Sequence, residues 1–292
     1  MTLLQFEVFK TVVETGSFTK AGEILNLTQS AVSHAISGLE SQLKVSLLHR
    51  NRTGVTLTDA GEQLITHIRE VLNHKQQIEQ KAAKINGVEI GRIRIGSFLS
   101  ASSELLPGMI SEFKKSHPAI DIKIHEGGYN EIEGWITSGI VDIGFVILPN
   151  KEFDTVPLFK DEYVGLFTEG HPLRCKQCID ITEIADEPFI MPLAGCESLI
   201  KPLFNEKNIK PKIQFEVEHT TTIIAMVKAG LGISIVPSLA YKPAGVFTIE
   251  LRPRIEREIG LAVRSLSSSS PATKAFIQMA QTWLQSKQSN CC

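Results

Sequence analysis

Between residues 64 and 85, Leu64, Ile68, Val71, Ile78, Ala82 and Ile85 follow a four-three spacing, with Lys75 in the remaining place. That alternation is the a/d seam of a heptad repeat. Such a stripe is too narrow to serve as one face of an ordinary globular core. A helix over 59–87 that carries it needs a partner. A second copy of the same helix supplies one by symmetry, and packing of the stripe on its own domain is the alternative. The rod also divides the chain. Short helical patterns lie before it, and Asn86-Gly87 breaks it. After the break, strands and helices alternate, which is the rhythm of a parallel α/β sheet. The 292 residues are enough for two or three such domains.

The first segment reads as three helices and a hairpin. Leu3, Phe6, Phe9, Val12 and Val13 recur at helical spacing, and Gly16 ends that helix. Ser17 and Thr28 stand where N-caps are needed for a second and a third helix. The third helix turns Val32, Ile36, Leu39 and Leu43 inward. Residues 47–58 then read as strand, glycine turn and strand, which makes a wing after a helix-turn-helix. A recognition helix presents short polar groups to base edges from its N-terminal half. Here Thr28, Gln29, Ser30, Ser33, His34 and Ser37 are the candidates for DNA contact, with Arg50 and Arg52 on the wing for phosphate or minor groove. Net charge is −2 over the chain, so composition alone does not announce a nucleic-acid binder. Within 26–58, Lys44, Arg50 and Arg52 stand against Glu40. So little charge favours a dimer that doubles the contacts.

These residues resemble the LysR-type transcriptional regulators. The resemblance is carried by Phe6-x2-Phe9, Gly16-Ser17-Phe18-Thr19-x-Ala21, Leu25-x3-Gln29-Ser30-Ala31-Val32-Ser33-x2-Ile36-x2-Leu39-Glu40, Leu47, Arg50 and Leu57-Thr58-x-Ala60-Gly61. The sequence departs from the pattern at Gly22, where a second Ala is common, at Lys44, where Gly usually ends the recognition helix, and at Leu48 and His34. The resemblance implies an α/β protein with an N-terminal winged helix-turn-helix, a long linker helix and a two-subdomain effector domain like type 2 periplasmic binding proteins. The implied boundaries are 1–58, 59–87 and 91–292, with subdomain I at about 91–161 and 265–292 and subdomain II at about 162–264. Hinge crossings are implied near Lys160–Tyr163 and Val263–Ser265. The implied partners are double-stranded operator or promoter DNA, a small-molecule effector, further copies in a homodimer or homotetramer, and RNA polymerase.

In α/β sheets, ligands collect at the carboxyl ends of strands, where helix N-termini point free N–H groups. The stretch Ser97–Ser103 follows the first strand, is rich in hydroxyls, and reads as a loop. Ser100 and Ser102 are its effector-binding candidates, with simple helix capping as the alternative reading. The resemblance places Gly144 and Phe145, Cys196 and Glu197, and Thr220 and Thr221 around the same cleft. Glu197 is an odd neighbour for an anion, so a cationic or neutral ligand stays open.

Other chemistries find less support. His171-x3-Cys175-x2-Cys178, with Cys196 further on, has half of a zinc spacing, and metal or redox sensing stays open there. The tail pair Cys291-Cys292 reads as terminal and disordered. Gly230-x-Gly232 is a helix-to-strand turn, and no phosphate-binding loop, nucleophile elbow or metal-protease signature occurs. No catalytic residue, resident metal or cofactor is expected, and the chain reads as a non-enzyme. No stretch reaches the ~20 apolar residues of a membrane helix. The N-terminus does not read as a secretory leader, so a cytoplasmic protein is expected. A transporter's solute-binding protein would suit 91–292 but not the residues before it.

Overall fold

The computed structural model describes residues 1–51, 54–85, 90–240 and 243–289. Arg52, the Asn86-Gly87 break and the Cys291-Cys292 tail lie outside the described residues. The chain divides into two compact units, Met1–Val88 with Ser138–Ile140, and Glu89–Thr137 with Val141–Cys292.

In the first unit, each early helix begins at a side-chain cap. Thr2 Oγ1 accepts the Gln5 N–H at 3.2 Å while Gln5 Oε1 accepts the Thr2 N–H at 2.9 Å, a reciprocal box that starts α1 (Leu3–Thr15). Gly16, at φ 62, ends α1. Ser17 caps α2 (Phe18–Leu25) and Thr28 caps α3 (Gln29–Leu43). Lys44 ends α3 at φ 58, a left-handed conformation that costs a non-glycine residue about 1–2 kcal/mol. Gly22, the other departure from the familiar pattern, is required by geometry. A Cβ there would lie 2.6 Å from the Leu27 carbonyl oxygen. The three helices bury Val8, Phe9, Val12, Ala21, Val32, Ile36 and Leu39 completely in one core. The hairpin of β1 (Leu48–Asn51) and β2 (Gly54–Leu57) sets Arg50 opposite Val55, and the Val55 N–H donates to Gly16 O at 3.2 Å. That bond ties the wing to the α1–α2 turn.

Thr58 starts the long helix α4 (Asp59–Ile85), its hydroxyl oxygen accepting the Gly61 N–H at 3.0 Å. The heptad seam splits into two parts. Its first half packs at home: Ile68 is buried with Ile65 and Leu72 in the core beneath α1 and α3, and Leu64 packs against them. Its second half stays open, with Val71 at 42%, Ile78 at 69% and Ile85 at 86% exposure. Lys75, the polar seam residue, reaches Glu7 of α1 at 2.9 Å and Glu79 at 3.5 Å.

The second unit has two lobes joined by two long strands. The first lobe carries β3 (Gly91–Ser97), α5 (Leu99–Glu104), α6 (Leu106–Ser116), β4 (Ile120–Glu126), α7 (Tyr129–Thr137) and β5 (Ile143–Leu148). Its strands are parallel, as the alternation predicts, with β3 between β4 and β5. β6 (Asp154–Thr168) then runs out of this lobe into the second. There follow β7 (Cys178–Asp180), β8 (Pro188–Pro192), α8 (Glu197–Glu206), β9 (Lys212–Val217), α9 (Thr220–Lys228) and β10 (Ser234–Pro237). β11 (Val246–Val263) returns to the first lobe, and α10 (Pro271–Ser289) packs there, Phe276 edge-on to Phe113 at 5.3 Å. β8 and β9 are parallel and form a small sheet of their own.

Three readings of the sequence change. The stretch 97–103 is not a loop, because residues 99–104 are helical. From the sequence, Pro237 reads as the opening of a short helix, but among the described residues the chain makes a turn there instead. β6 and β11 are far longer than the apolar runs Tyr163–Phe167 and Ile259–Val263, and they pair antiparallel. Residues 246–250 of β11 pair with β6 in the second lobe, whereas residues 259–262 also pair with β5 in the first. The second crossing therefore lies at about residues 255–258, before Val263. A register break between Glu250 and Ile255 marks its approach.

A Cβ on Gly61 would sit 2.2 Å from the Leu47 carbonyl and 2.9 Å from Leu57 Cδ2. Gly61→Ala should lower stability by about 1–3 kcal/mol despite alanine's better helix propensity. Urea unfolding of the two proteins checks this, and equal or greater stability of the variant would contradict the packing of α4 on the wing.

Candidate functional site

Two concave surfaces stand out, one in each unit. On the first, the turn before α2, the start of α3 and the wing enclose a groove of about 300 Å³ lined by Gly16, Ser17, Phe18, Gln29, Ser33, Arg50, Asn51 and Val55. Gln29 and Ser33 face into it one helical turn apart. Arg50 is held from two sides. Its guanidinium lies 4.9 Å from the Phe18 ring centre and 3.5 Å from Glu40 Oε2. Glu40 is itself anchored, because its Oε1 accepts the Leu47 N–H at 2.8 Å. Ser30, His34 and Ser37 are exposed on the same helix outside the groove. Thr28 Oγ1 accepts the Ala31 N–H at 3.2 Å and lies 3.0 Å from Ser30 Oγ, so it is engaged as a cap. Arg52 lies outside the described residues.

The second surface is a cavity of about 220 Å³ between the lobes of the second unit. One wall is Phe98, Ser100, residues 126–129 and Glu131. The facing wall is Leu193, Ala194, Cys196 and residues 218–220, and Leu99, Pro237 and Arg257 also contribute. The lobes meet at one edge, where the Tyr129 N–H donates to Ala194 O at 3.3 Å. Gly195 permits this approach. Its φ is +103, and a Cβ there would fall 2.5 Å from the Tyr129 ring.

Arg257 is buried at the crossing of β11, and its fork is met on several sides. Nε donates to Asp161 Oδ2 at 2.8 Å and Nη2 to the same oxygen at 2.5 Å. Nη2 also donates to Ser100 Oγ at 3.1 Å, and Nη1 to Tyr129 Oη at 2.6 Å. The guanidinium carbon stands 5.1 Å from the Phe98 ring centre and 5.3 Å from that of Tyr163. Asp161 Oδ1 in turn accepts the Ser238 hydroxyl at 2.7 Å and the Leu239 N–H at 3.2 Å. Tyr129 Oη lies 3.1 Å from Tyr163 Oη and 3.6 Å from Cys196 Sγ. Burial pushes both phenols well above the usual tyrosine range, with Cys196 adding to the shift of Tyr129. Both phenols therefore stay protonated and can donate.

Of the residues expected at this site, Ser100, Cys196 and Thr220 line the cavity. The others fall outside it, each for a physical reason. Phe145 is fully buried behind Phe98, edge-on at 6.3 Å. A Cβ on Gly144 would fall 2.6 Å from Ile136 Cδ1, so this glycine seats α7 against β5. Ser102 lies on α5 outside the lining, its hydroxyl oxygen enclosed with no hydrogen-bond partner among the described residues, Glu197 Oε2 turns back to accept the Gly195 N–H at 2.9 Å, and Thr221 is exposed on α9. The sequence reading missed Phe98, Tyr129, Asp161 and Arg257. The last two carried a signal, since each has the inward parity of its strand, beside Tyr163 and between Ile255 and Ile259.

Among the described residues, no group of three or more His, Cys, Asp or Glu side chains could hold a metal ion. His171 faces Glu187 at 3.6 Å, Cys175 is exposed, and Cys196 lies with Tyr129, so the spaced His and Cys residues do not converge. No helix among them is long and apolar enough to cross a membrane.

Comparison with known proteins matches both units. Residues 3–62 match the bacterial regulatory helix-turn-helix protein, lysR family, and residues 86–285 match the LysR substrate binding domain. The chain is 40% identical over 286 residues to the uncharacterized HTH-type transcriptional regulator YvbU of Bacillus subtilis, covering 96% of this chain and 98% of that one. A full-length OxyR from Pseudomonas aeruginosa shares the fold, with a TM-score of 0.78 at 24% identity over 98% of this chain and 95% of the other. The effector binding domain of QuiR in complex with shikimate is 29% identical, with a TM-score of 0.61, covering 68% of this chain and 98% of that one.

Removing one partner of a buried ion pair leaves the other charge stranded, at a cost of about 3–5 kcal/mol. Arg257→Met should lower the unfolding free energy by that amount. Adding Asp161→Leu to the same chain should restore most of it. Denaturant titration of the three proteins measures the difference, and a double variant no more stable than the single one would contradict a local ion-pair role.

Proposed function

The chain belongs to the LysR family of transcriptional regulators, and from that premise we propose how its two surfaces divide the work. It is a DNA-binding transcription regulator with an effector-binding domain, not an enzyme. The groove of α2, α3 and the wing reads the duplex. Gln29 and Ser33 meet base edges, with Ser30, His34 and Ser37 alongside. Arg50, and Arg52 beyond it, meet phosphate or the minor groove, and Thr28 fixes the start of the recognition helix. The observation that carries this reading is the fixed position of Arg50 beside Gln29 and Ser33 in one concave surface.

The active species is a homodimer or homotetramer. The open half of the α4 seam at Val71, Ile78 and Ile85 supports this, since three large apolar residues at heptad spacing remain exposed in a single copy. Two recognition helices then reach successive major-groove half-sites. A small-molecule effector binds in the cavity around Ser100, Tyr129 and Arg257, as the likeness to the shikimate-bound QuiR domain supports. A ligand that prefers one closure of the two lobes shifts the populations of the regulator and so its geometry on DNA. No cofactor besides this effector is required. RNA polymerase at a cytoplasmic promoter is the machinery on which the complex acts.

Fluorescence anisotropy with the protein's own promoter DNA over a range of salt tests the reading. Arg50→Ala should reduce the slope of log affinity against log salt by about one for each subunit bound, nearly equally on specific and random DNA. Ser33→Ala with His34→Ala should weaken the specific site by about 1–3 kcal/mol and leave random DNA almost unchanged. Equal loss on both sequences from the α3 pair would sink base readout by that helix.

A further inference from the structure

We infer that the molecule held between the lobes is a small organic cation, an amine or a guanidine, bound by carboxylates contributed from both sides of the cleft. This rests on the effector-cleft reading above and adds the ligand's chemical class. Three carboxylates line the cavity, Glu126 and Glu131 from the first lobe and Glu218 from the second. No ion pair neutralises any of them among the described residues. Glu131 is oriented by the Gly128 N–H, which donates to its Oε2 at 2.8 Å. Among the described residues the lining holds one permanent cation, Arg257, and that charge is already answered by the buried Asp161 at 2.5 and 2.8 Å. Its other hydrogen bonds go to Ser100 and Tyr129. An entering carboxylate would therefore find the guanidinium occupied and three like charges around it. An ammonium or guanidinium group would find the reverse.

Two further features narrow the class. No three of the lining acids, His and Cys come together as a metal-binding group among the described residues, so a bare divalent ion lacks its ligands. The cavity of about 220 Å³ instead suits a small organic molecule. Ser100 is 7% exposed, and its oxygen accepts from Arg257 while its own hydrogen has no acceptor among the described residues. That hydrogen is free to donate to a neutral oxygen or nitrogen on the same ligand. The placement of the acids also supplies a mechanism. Glu218 on one lobe and Glu126 and Glu131 on the other oppose closure by like charge, and a cation between them removes that opposition. The ligand thereby gains an affinity difference between open and closed forms, which a switch requires.

The experiment uses the full-length protein in thermal-shift and calorimetric titrations. The amine arm is 1,4-diaminobutane, agmatine and choline. The carboxylate arm is succinate, benzoate and shikimate, and Mg²⁺ is the bare-ion arm. At least one amine should stabilise the protein at millimolar concentration, bind at least about tenfold tighter than every carboxylate, and weaken as salt rises. Glu126→Gln with Glu218→Gln should cost that amine about tenfold or more while leaving promoter binding intact. Stabilisation by a carboxylate and by no amine, with the response lost in Ser100→Ala, would overturn the cationic class and leave the cleft as the effector site. Stabilisation by Mg²⁺ equal to that by the amines would overturn the organic class. An unchanged melting temperature across all three arms would overturn the proposal, and a response to metabolite extract that survives in Ser100→Ala would then count against the cleft itself.

Discussion

Asp161 and Arg257 form an ion pair withdrawn from water at the place where two strands pass from one lobe to the other. Taking both charges out of solvent costs several kcal/mol per ion, and mutual attraction offsets this only when the remaining donors and acceptors are also met. Arginine suits the position because its planar fork directs donors several ways from one rigid group. Here the fork fastens β11 to β6 through Asp161 and reaches Ser100 and Tyr129 on the first lobe. Asp161 extends the network to Ser238 and Leu239 on the other side. Both lobes thus meet at one buried charge, and a ligand against Ser100 or Tyr129 acts directly on the groups that set their relation.

The same device appears in milder form on the groove of the first unit. Arg50 is half in solvent, so its pairing with Glu40 adds little to stability. Its value is positional. Glu40 is fixed by the N–H groups of Leu47 and Leu48, and Phe18 supports the guanidinium from one face. An arginine held this way loses less freedom when it meets a phosphate than one that waves in water. In a chain with net charge −2, long-range attraction to DNA is weak, and placement of the few available cations matters more.

Much of this architecture was legible in the sequence, and the failures have a common cause. Caps at Ser17 and Thr28 and inward residues at helical spacing make the first unit readable, because local chemistry and burial point the same way there. The alternation after the long helix gave the α/β class and the parallel strands. β6 and β11 were read short because their crossing segments run through Lys160-Asp161-Glu162 and Glu256-Arg257-Glu258. In these stretches charge hides the period-two pattern that an apolar run would show. The site residues failed in the same way. Ser100 is singled out by hydroxyl chemistry after the first strand, whereas Thr220, Phe145 and Gly144 enter only through the family resemblance, and tertiary packing assigns the last two to the core. Asp161 and Arg257 could have been found by asking why a charge occupies the buried parity of a strand, a question that apolar counting does not raise.

The features that packing leaves unbalanced are the ones that specify partners. The seam of α4 is satisfied at Ile68 by its own domain and unsatisfied at Val71, Ile78 and Ile85, and an apolar stripe at heptad spacing is complemented by another of the same spacing. The groove beside Gln29 and Ser33 has donors, acceptors and one fixed cation, which suits a surface carrying base edges beside phosphates. The cleft is lined by three carboxylates without an ion pair among the described residues and by a guanidinium whose charge is already met, which suits positive charge. Each deficit is set by a buried or anchored neighbour: Leu72 beneath the seam, Glu40 beneath Arg50, Asp161 beneath Arg257. A partner therefore meets a surface whose geometry is fixed before it arrives, and its binding energy goes into choosing among states of the protein instead of ordering the site.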